Sequence, residues 1–145
     1  MVFISLTRLK VRSLFFLPAF FRANEAAVKE LIKTKGFITG VELIDKGPVF
    51  WTITCWNGET DMKSFRNGPA HRKAMQKLPD WCCEATYTHW LQEDVPTTID
   101  WKLMHEKIVQ DGKLTKVRKP TQNHPTKEFP VIKWLRLQRP LKALS

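Results

Sequence analysis

Cysteine is scarce in this chain of 145 residues, which has three, two of them adjacent as Cys82 and Cys83. Three cysteines cannot build a disulfide framework. Because the chain also lacks a C-x-x-C pair, it lacks the spacing typical of zinc ribbons and dithiol redox sites. We therefore expect free thiols and a reducing, cytoplasmic setting.

Sequence signatures of catalysis are missing as well. The chain has no G-x-S-x-G nucleophile elbow, no P-loop, no H-E-x-x-H zinc motif and no dinucleotide-binding glycine pattern. Any chemistry must therefore come from a pocket that no local motif marks.

The apolar run at residues 14–21 is too short to cross a bilayer. It follows Arg8, Lys10 and Arg12 and so imitates the charged and apolar regions of a signal peptide, but no small-x-small cleavage site comes after it. We interpret the run as part of a buried first helix.

Acidic residues are rare only in the last third of the chain. Residues 1–101 hold 13 Lys and Arg against 11 Asp and Glu, whereas residues 102–145 hold 11 against 3. Nearly all of the net charge of +10 therefore lies in the last third, and the nearly neutral first part gives no electrostatic sign of its function. A basic run is usually solvated or partly docked, so we expect neither nucleic acid nor a membrane surface as a partner.

Hydrophobic periodicity predicts the order β-α-β-β-α-β for the first 92 residues, a ferredoxin-like α+β domain with an antiparallel sheet. Four strands carry this prediction, at residues 2–11, 37–44, 49–56 and 84–91. A first helix runs from Ser13 to about Thr34, and further helices open at Asn57 and at Pro69, the last of them ending at Pro79-Asp80-Trp81.

Residues 93–145 form a separate extension in this prediction. Thr97 and Thr98 precede a helix over 99–109, and Pro120, Pro125, Pro130 and Pro140 then prevent long regular structure. The segment 131–137 is too apolar for a free linker, so we expect the extension to lie against the domain or against a dimer partner.

His71 is the most informative titratable residue. It would be the third residue of the helix that begins at Pro69, where the positive end of the helix favours a neutral imidazole. A neutral ring is the form needed by a metal or haem ligand, or by a general base. The alternative is a half-exposed histidine that only bonds to the preceding loop.

Aromatic residues are numerous enough to line an apolar pocket between sheet and helices. We expect Trp51, Phe65 and Trp81 to form its walls, with Arg66 presenting a cation to a bound ligand. Plain core packing for the aromatic rings and solvation for the arginine stay open as alternatives.

The central part of the chain resembles the spheroidene-monooxygenase-like family, which is similar to the antibiotic-biosynthesis-monooxygenase superfamily of dimeric α+β barrels. The resemblance covers about residues 3–92 and rests on the runs Phe50-Trp51-Thr52-Ile53-Thr54-Cys55-Trp56, Phe65-Arg66-Asn67-Gly68-Pro69-Ala70-His71-Arg72-Lys73-Ala74-Met75 and Asp80-Trp81-Cys82, with His89-Trp90.

The resemblance implies a ferredoxin-like fold, a homodimer formed by two sheets meeting face to face, and a pocket between each sheet and its helices. It also implies oxygenation of an aromatic or polyene molecule without a cofactor, or binding or degradation of haem, although some relatives have no known chemistry. We expect His71 to be the axial haem ligand or the base. A bare sheet face rich in apolar residues, among them Phe3, Leu9, Val11 and Trp51, favours the homodimer independently.

Three functions follow from these observations. The first is a monooxygenase-like protein that acts on a bulky apolar molecule, with His71 as base or haem ligand. The second is a non-catalytic dimeric module that binds a small apolar metabolite. The third is binding of the basic tail to nucleic acid or to an anionic membrane.

Overall fold

The computed structural model describes residues 1–144. Its main strands are β1 (Val2–Val11), β2 (Phe37–Asp45), β3 (Val49–Trp56) and β4 (Cys82–Gln92), joined by helices α1 (Leu17–Leu31), α2 (Glu59–Arg66) and α3 (Pro69–Trp81). The later elements are α4 (Trp101–Asp111), β5 (Lys113–Leu114), α5 (Asn123–Thr126) and β6 (Gln138–Lys142).

All neighbouring strands pair antiparallel, in the order β5-β4-β1-β3-β2-β6. The four inner strands form a ferredoxin-like sheet, and the predicted α+β fold is confirmed. β6, from the C-terminal extension, adds a sixth strand beside β2. None of the helices in the described chain is long and apolar enough to cross a membrane.

Side chains of opposite parity line the two faces of the sheet. Phe3 packs with Leu31 of α1 and Met62 of α2, so odd-numbered residues of β1 face the helices. Ile4 and Leu6 point to the other face, where they pack with Trp51. Helices α1 to α3 therefore cover one face, as the β-α-β-β-α-β order requires.

The C-terminal extension covers the second face. Trp101, Met104 and Ile108 of α4, together with Phe129, are buried in the same cluster as Trp51. The expectation that one sheet face is bare was wrong, because the chain covers that face with its own residues. A homodimer stays a prediction, but the sheet-to-sheet contact from which it was argued is occupied.

Polar contacts tie the extension to the sheet. The Asp45 carboxylate accepts hydrogen bonds from the backbone N–H groups of Lys133, at 3.1 Å, and Trp134, at 2.8 Å. Glu84, fully buried on β4, forms an ion pair with Arg8 and accepts a hydrogen bond from the Thr121 hydroxyl, each at 2.6 Å. Buried charges of this kind are tolerated only when paired, so these contacts fix where the extension lies.

Helix α3 ends at Trp81, within the predicted end at residues 79–81, because a proline in the last turn removes only a single hydrogen bond. The expected burial of the apolar run needs correction. Leu14 and Phe15 are 72% and 83% exposed, so the first part of the apolar run is not buried. A 3-10 turn at Leu14–Phe16, opened by Ser13, directs these two side chains outward before α1 begins.

Candidate functional site

A cavity of about 480 Å³ lies between the sheet and helices α1 to α3. This volume is within the usual range for sites that enclose a small organic molecule. Most of its wall is apolar and comes from the three helices, with Phe20, Ala27, Val28, Leu31, Met62, Phe65, Ala74, Met75, Leu78 and Trp81.

The floor of the cavity is polar. Two cross-strand rows run over β3, β1 and β4, the first being Thr54, Ser5 and His89, and the second Thr52, Thr7 and Tyr87. The Thr54 hydroxyl accepts a hydrogen bond from the Trp56 indole N–H at 2.9 Å. A protein that only filled its core would place aliphatic side chains here, so this floor fits a ligand with oxygen-bearing groups on one side.

His71 enters the cavity from the first turn of α3. Its ring lies edge-on to Phe65, with centroids 5.2 Å apart, and its Nδ1 atom is buried without a hydrogen-bond partner among the described residues. Burial lowers the pKa of His71, and the charge of Arg66 lowers it further, whereas the Arg66 carbonyl and Glu30 offset part of the effect. The ring is therefore neutral near pH 7, chiefly because of desolvation.

Glu30 of α1 fixes the start of α3. Its carboxylate accepts a hydrogen bond from the Ala70 N–H at 3.2 Å, at the positive end of the helix. A Cβ on Gly68 would lie 2.1 Å from the Glu30 Oε1 atom, so a larger residue there would push the flexible carboxylate out of this position. The contact holds His71 at the cavity.

A second neutral imidazole belongs to His89 on β4. Its ring packs between Phe3, at 5.2 Å, and Tyr87, at 5.5 Å. Burial is the largest cause that lowers the pKa of His89, and the charge of Arg66 adds to it. One cation thus acts on both imidazoles, and the cavity combines two proton acceptors with a positive charge able to stabilise an anion.

Four of the five residues expected at the site line the cavity: Phe65, Arg66, His71 and Trp81. Trp81 is ten residues beyond His71 on α3, so the two lie about 15 Å apart along the helix. The expectation that Trp51 lines the cavity was wrong, because Trp51 packs against Trp101 on the opposite face of the sheet. Its neighbour Thr52 faces the cavity, and strand alternation turns Trp51 away.

The polar floor of the cavity and the role of Glu30 were not predicted from the sequence. Strand alternation in β4 was the available signal for Tyr87 and His89, because residues 85, 87 and 89 must share a face. No sequence signal marked Glu30, which meets Ala70 across 40 residues of chain.

The residues described offer no cluster of three or more His, Cys, Asp or Glu side chains that suits a metal ion. The three cysteines are free, and all three are buried. Burial raises the pKa of Cys82 to about 12, so that thiol stays protonated. The candidate chemistry therefore rests on the cavity.

Acid should destabilise this fold. The folded-state pKa values of His71, His89 and His124 are all lowered below 6.5. In acid the unfolded chain therefore binds more protons than the folded chain. The stabilising contribution of these histidines is fully present above the pKa of histidine in the unfolded chain, and it is lost as the pH drops below that pKa. We expect a lower urea midpoint at about pH 5.5 than at about pH 7.5, a window above the ordinary carboxylate range. A His71→Gln, His89→Gln double variant should show a smaller drop, and equal wild-type midpoints would contradict the prediction.

The fold and site define an α+β domain with a ligand-sized cavity between its sheet and helices, and solved structures share the fold. A conserved protein from Methanosarcina mazei Go1 superposes with a TM-score of 0.58 at 10% identity, covering 64% of this chain and 94% of that one. A variant of SnoaB, a cofactor-independent oxygenase from Streptomyces nogalater, gives 0.56 at 11% identity, covering 67% and 98%.

A third similar structure is provisionally described as an antibiotic biosynthesis monooxygenase, from Nitrosomonas europaea. It gives a TM-score of 0.56 at 13% identity and covers 67% of this chain and 93% of that one. No protein-family model and no curated protein matches the sequence. The likeness thus supports an antibiotic-biosynthesis-monooxygenase-like fold, and the narrower resemblance to spheroidene-monooxygenase-like proteins stays a prediction.

Proposed function

We propose that the cavity binds a bulky, largely apolar molecule carrying oxygen groups on one side, and that His71 acts as the base in its oxygenation. The observation that carries this proposal is the neutral, unpartnered Nδ1 atom of His71 in an apolar cavity above a polar floor. The resemblance favours an aromatic or polyene substrate, and SnoaB supplies the precedent of an oxygenase without a cofactor.

The chemistry follows from the cavity residues. An oxygenase without a cofactor must take the electrons for O₂ from the substrate, so that a CH₂ group becomes C=O with one oxygen atom while the other leaves as water. The substrate anion gives up electrons more readily than its neutral acid. A neutral imidazole accepts the substrate proton, and Arg66 supplies a positive charge beside the anion that forms. The apolar walls exclude water around His71 and so strengthen its action as a base. Arg66 lines the cavity but is exposed, so solvent screens part of its charge.

Replacing His71 tests this proposal. We expect His71→Gln to lower the rate of O₂ consumption by roughly 10²–10⁴-fold, the usual effect of losing a general base. Substrate affinity should change little, because glutamine keeps polarity and approximate size. The measurement uses an oxygen electrode and a panel of hydroxylated polyenes and fused aromatics.

Arg72→Gln is the matched control, since Arg72 follows His71 on α3 but is exposed and does not line the cavity. Unchanged turnover in His71→Gln would contradict its role as base. Tight binding across the panel without O₂ consumption would instead favour the non-catalytic binding module.

Haem is the cofactor that the resemblance implies, and the cavity residues suit it chemically. His71 has a neutral ring with an unpartnered nitrogen and would hold the haem iron, while Arg66 would pair with a haem carboxylate. Bound haem would supply an iron centre for oxygen chemistry. A Soret shift on titrating haem into wild-type protein, lost in His71→Ala, supports this ligand, and identical titrations contradict it.

A further inference from the structure

Exposed apolar side chains cluster at the end of the molecule where β2 turns into β3. They come from two segments far apart in sequence, the start of the first helical region and the extension. We name this cluster the turn-end surface, and its apolar members are Leu14, Phe15, Phe21, Trp134, Leu135 and Leu137.

Hydrogen bonds place the extension at this end. Asp45, at the end of β2, accepts the N–H groups of Lys133 and Trp134. The Ile44 N–H donates to the Leu137 carbonyl at 2.9 Å. Residues 133–137 therefore follow the last residues of β2 and leave their apolar side chains in solvent.

The helical segment reaches the same end. Phe21 packs against Phe50 with ring centroids 5.4 Å apart, and Phe50 pairs across the sheet with Ile44. The Val11 N–H donates to the Pro48 carbonyl at 3.2 Å, so the chain that continues to Leu14 and Phe15 leaves β1 beside the β2–β3 turn. Both segments therefore lie at the same end of the sheet, residues 133–137 beside β2 and the helical segment nearer β1 and β4, where the Arg12 N–H donates to the Trp81 carbonyl at 2.7 Å.

The turn-end surface also carries unpaired positive charge. Lys46, Lys133 and Arg136 are exposed, and within residues 1–144 none has a carboxylate within 4.0 Å. No Asp or Glu occurs after residue 128. Nearby acids are already engaged, since both Glu25 and Glu42 pair with Arg139.

The combination of exposed apolar area and unpaired cations indicates which kind of partner fits this surface. A second copy of this surface would bring like charges together, which disfavours a symmetric contact. Nucleic acid would satisfy the cations and stack on aromatic rings, but it offers no apolar layer for the three leucines. A bilayer with anionic headgroups satisfies both, because cations bind phosphates while leucine and aromatic side chains enter the acyl boundary.

We propose that the turn-end surface docks the protein on an anionic phospholipid bilayer. Among the functions expected from the sequence, this proposal develops the third, binding of the basic tail to an anionic membrane, and it assigns the contact to residues 133–137 together with the start of the first helical region. Phe20, the neighbour of Phe21 on α1, lines the cavity, so the docked face adjoins one end of the candidate site. Delivery of an apolar ligand from the bilayer would rest on the proposed function, whereas docking does not.

Vesicle flotation tests the proposal. Full-length protein should partition at least tenfold more strongly to phosphatidylcholine vesicles containing phosphatidylserine than to pure phosphatidylcholine, and the binding should weaken with salt. A Lys133→Glu, Arg136→Glu variant should lose at least tenfold of this partitioning. A Phe15→Ser, Leu135→Ser variant should lose the part of the binding that resists salt.

A Lys33→Glu, Lys35→Glu variant is the control, because it makes the same charge change at the opposite end, where the Phe37 N–H donates to the Thr34 carbonyl at the start of β2. It should keep at least half of the wild-type binding, although its net charge equals that of the Lys133→Glu, Arg136→Glu variant. Equal loss in both charge variants, or no wild-type preference for anionic vesicles, would overturn the proposal. Binding to single-stranded DNA but not to vesicles would assign the surface to nucleic acid. Neither failure would affect ligand binding in the cavity, which is measured separately.

Discussion

Deleting residues 93–145 should turn the protein into a chain that self-associates and loses most of its stability. The deletion exposes the sheet face covered by Trp101, Met104, Ile108 and Phe129. Burying a large apolar side chain contributes about 1.5–3 kcal/mol. Four such side chains together are comparable to the whole net stability of a domain, about 5–15 kcal/mol.

The deletion also uncovers buried charge. Glu84 loses the Thr121 hydroxyl, and the Arg8 guanidinium loses the Phe129 ring, which lies 4.1 Å from it. Light scattering should report more chains per particle than in the full-length protein, or aggregates, under conditions in which the full-length protein stays uniform. If the truncated chain keeps the oligomeric state and the unfolding midpoint of the full-length protein, the extension does not cover the sheet.

A pair of substitutions in α4 tests the same contact without removing residues. Met104 is buried against the sheet, whereas Leu103 beside it is 42% exposed. Met104→Asp should lower the free energy of unfolding by at least about 3 kcal/mol, because it removes an apolar contact and buries an unpaired carboxylate. Leu103→Asp should cost less than about 1 kcal/mol, since it lies at an exposed position in the first turn of α4. Urea titration distinguishes the two.

Strand alternation and helix signals allowed most of the inner fold to be predicted. The bounds of β1 and β3 agree with the prediction, because β-branched and aromatic residues run continuously there between turn-forming residues. Alternation shows that a strand has two faces, but it does not say which face meets the helices. The placement of Trp51 at the cavity was wrong for this reason.

The position of the extension could not be predicted in the same way. Its main ties are Asp45 with the backbone of Lys133, and Glu84 with Thr121, and no local pattern links residues so far apart in sequence. Its prolines correctly excluded long regular structure, but the short β6 was missed. The sequence showed an apolar, basic segment, and only the fold shows which side chains it leaves exposed.

Part of the candidate site could be predicted from local sequence signals, and part depended on strand pairing. Pro69 and Gly68 marked the start of α3, so the place of His71 in its first turn followed from local signals. The neutral ring was also expected, although burial rather than the helix end is the main cause. His89 was missed because its importance depends on the pairing of β4 with β1, which sets Ser5 beside it.

Filling the cavity should abolish ligand binding without harming the fold. Ala27 lies on the wall of the cavity, and Ala26 beside it on α1 is exposed. A phenylalanine at position 27 would occupy space that a ligand needs, and the added apolar contacts should maintain or raise the stability. A phenylalanine at position 26 makes the same chemical change in solvent. The two variants therefore separate cavity volume from composition.

Titration of retinol into wild-type, Ala27→Phe and Ala26→Phe proteins is the most direct measurement. Retinol joins a polyene to one hydroxyl group, and it reports binding through energy transfer from buried tryptophans such as Trp56. We expect saturable binding to wild type and to Ala26→Phe, and at least tenfold weaker binding to Ala27→Phe. The thermal midpoint of Ala27→Phe should be no lower than that of wild type. Equal retinol affinity in all three proteins would contradict the assignment of this cavity as the functional site.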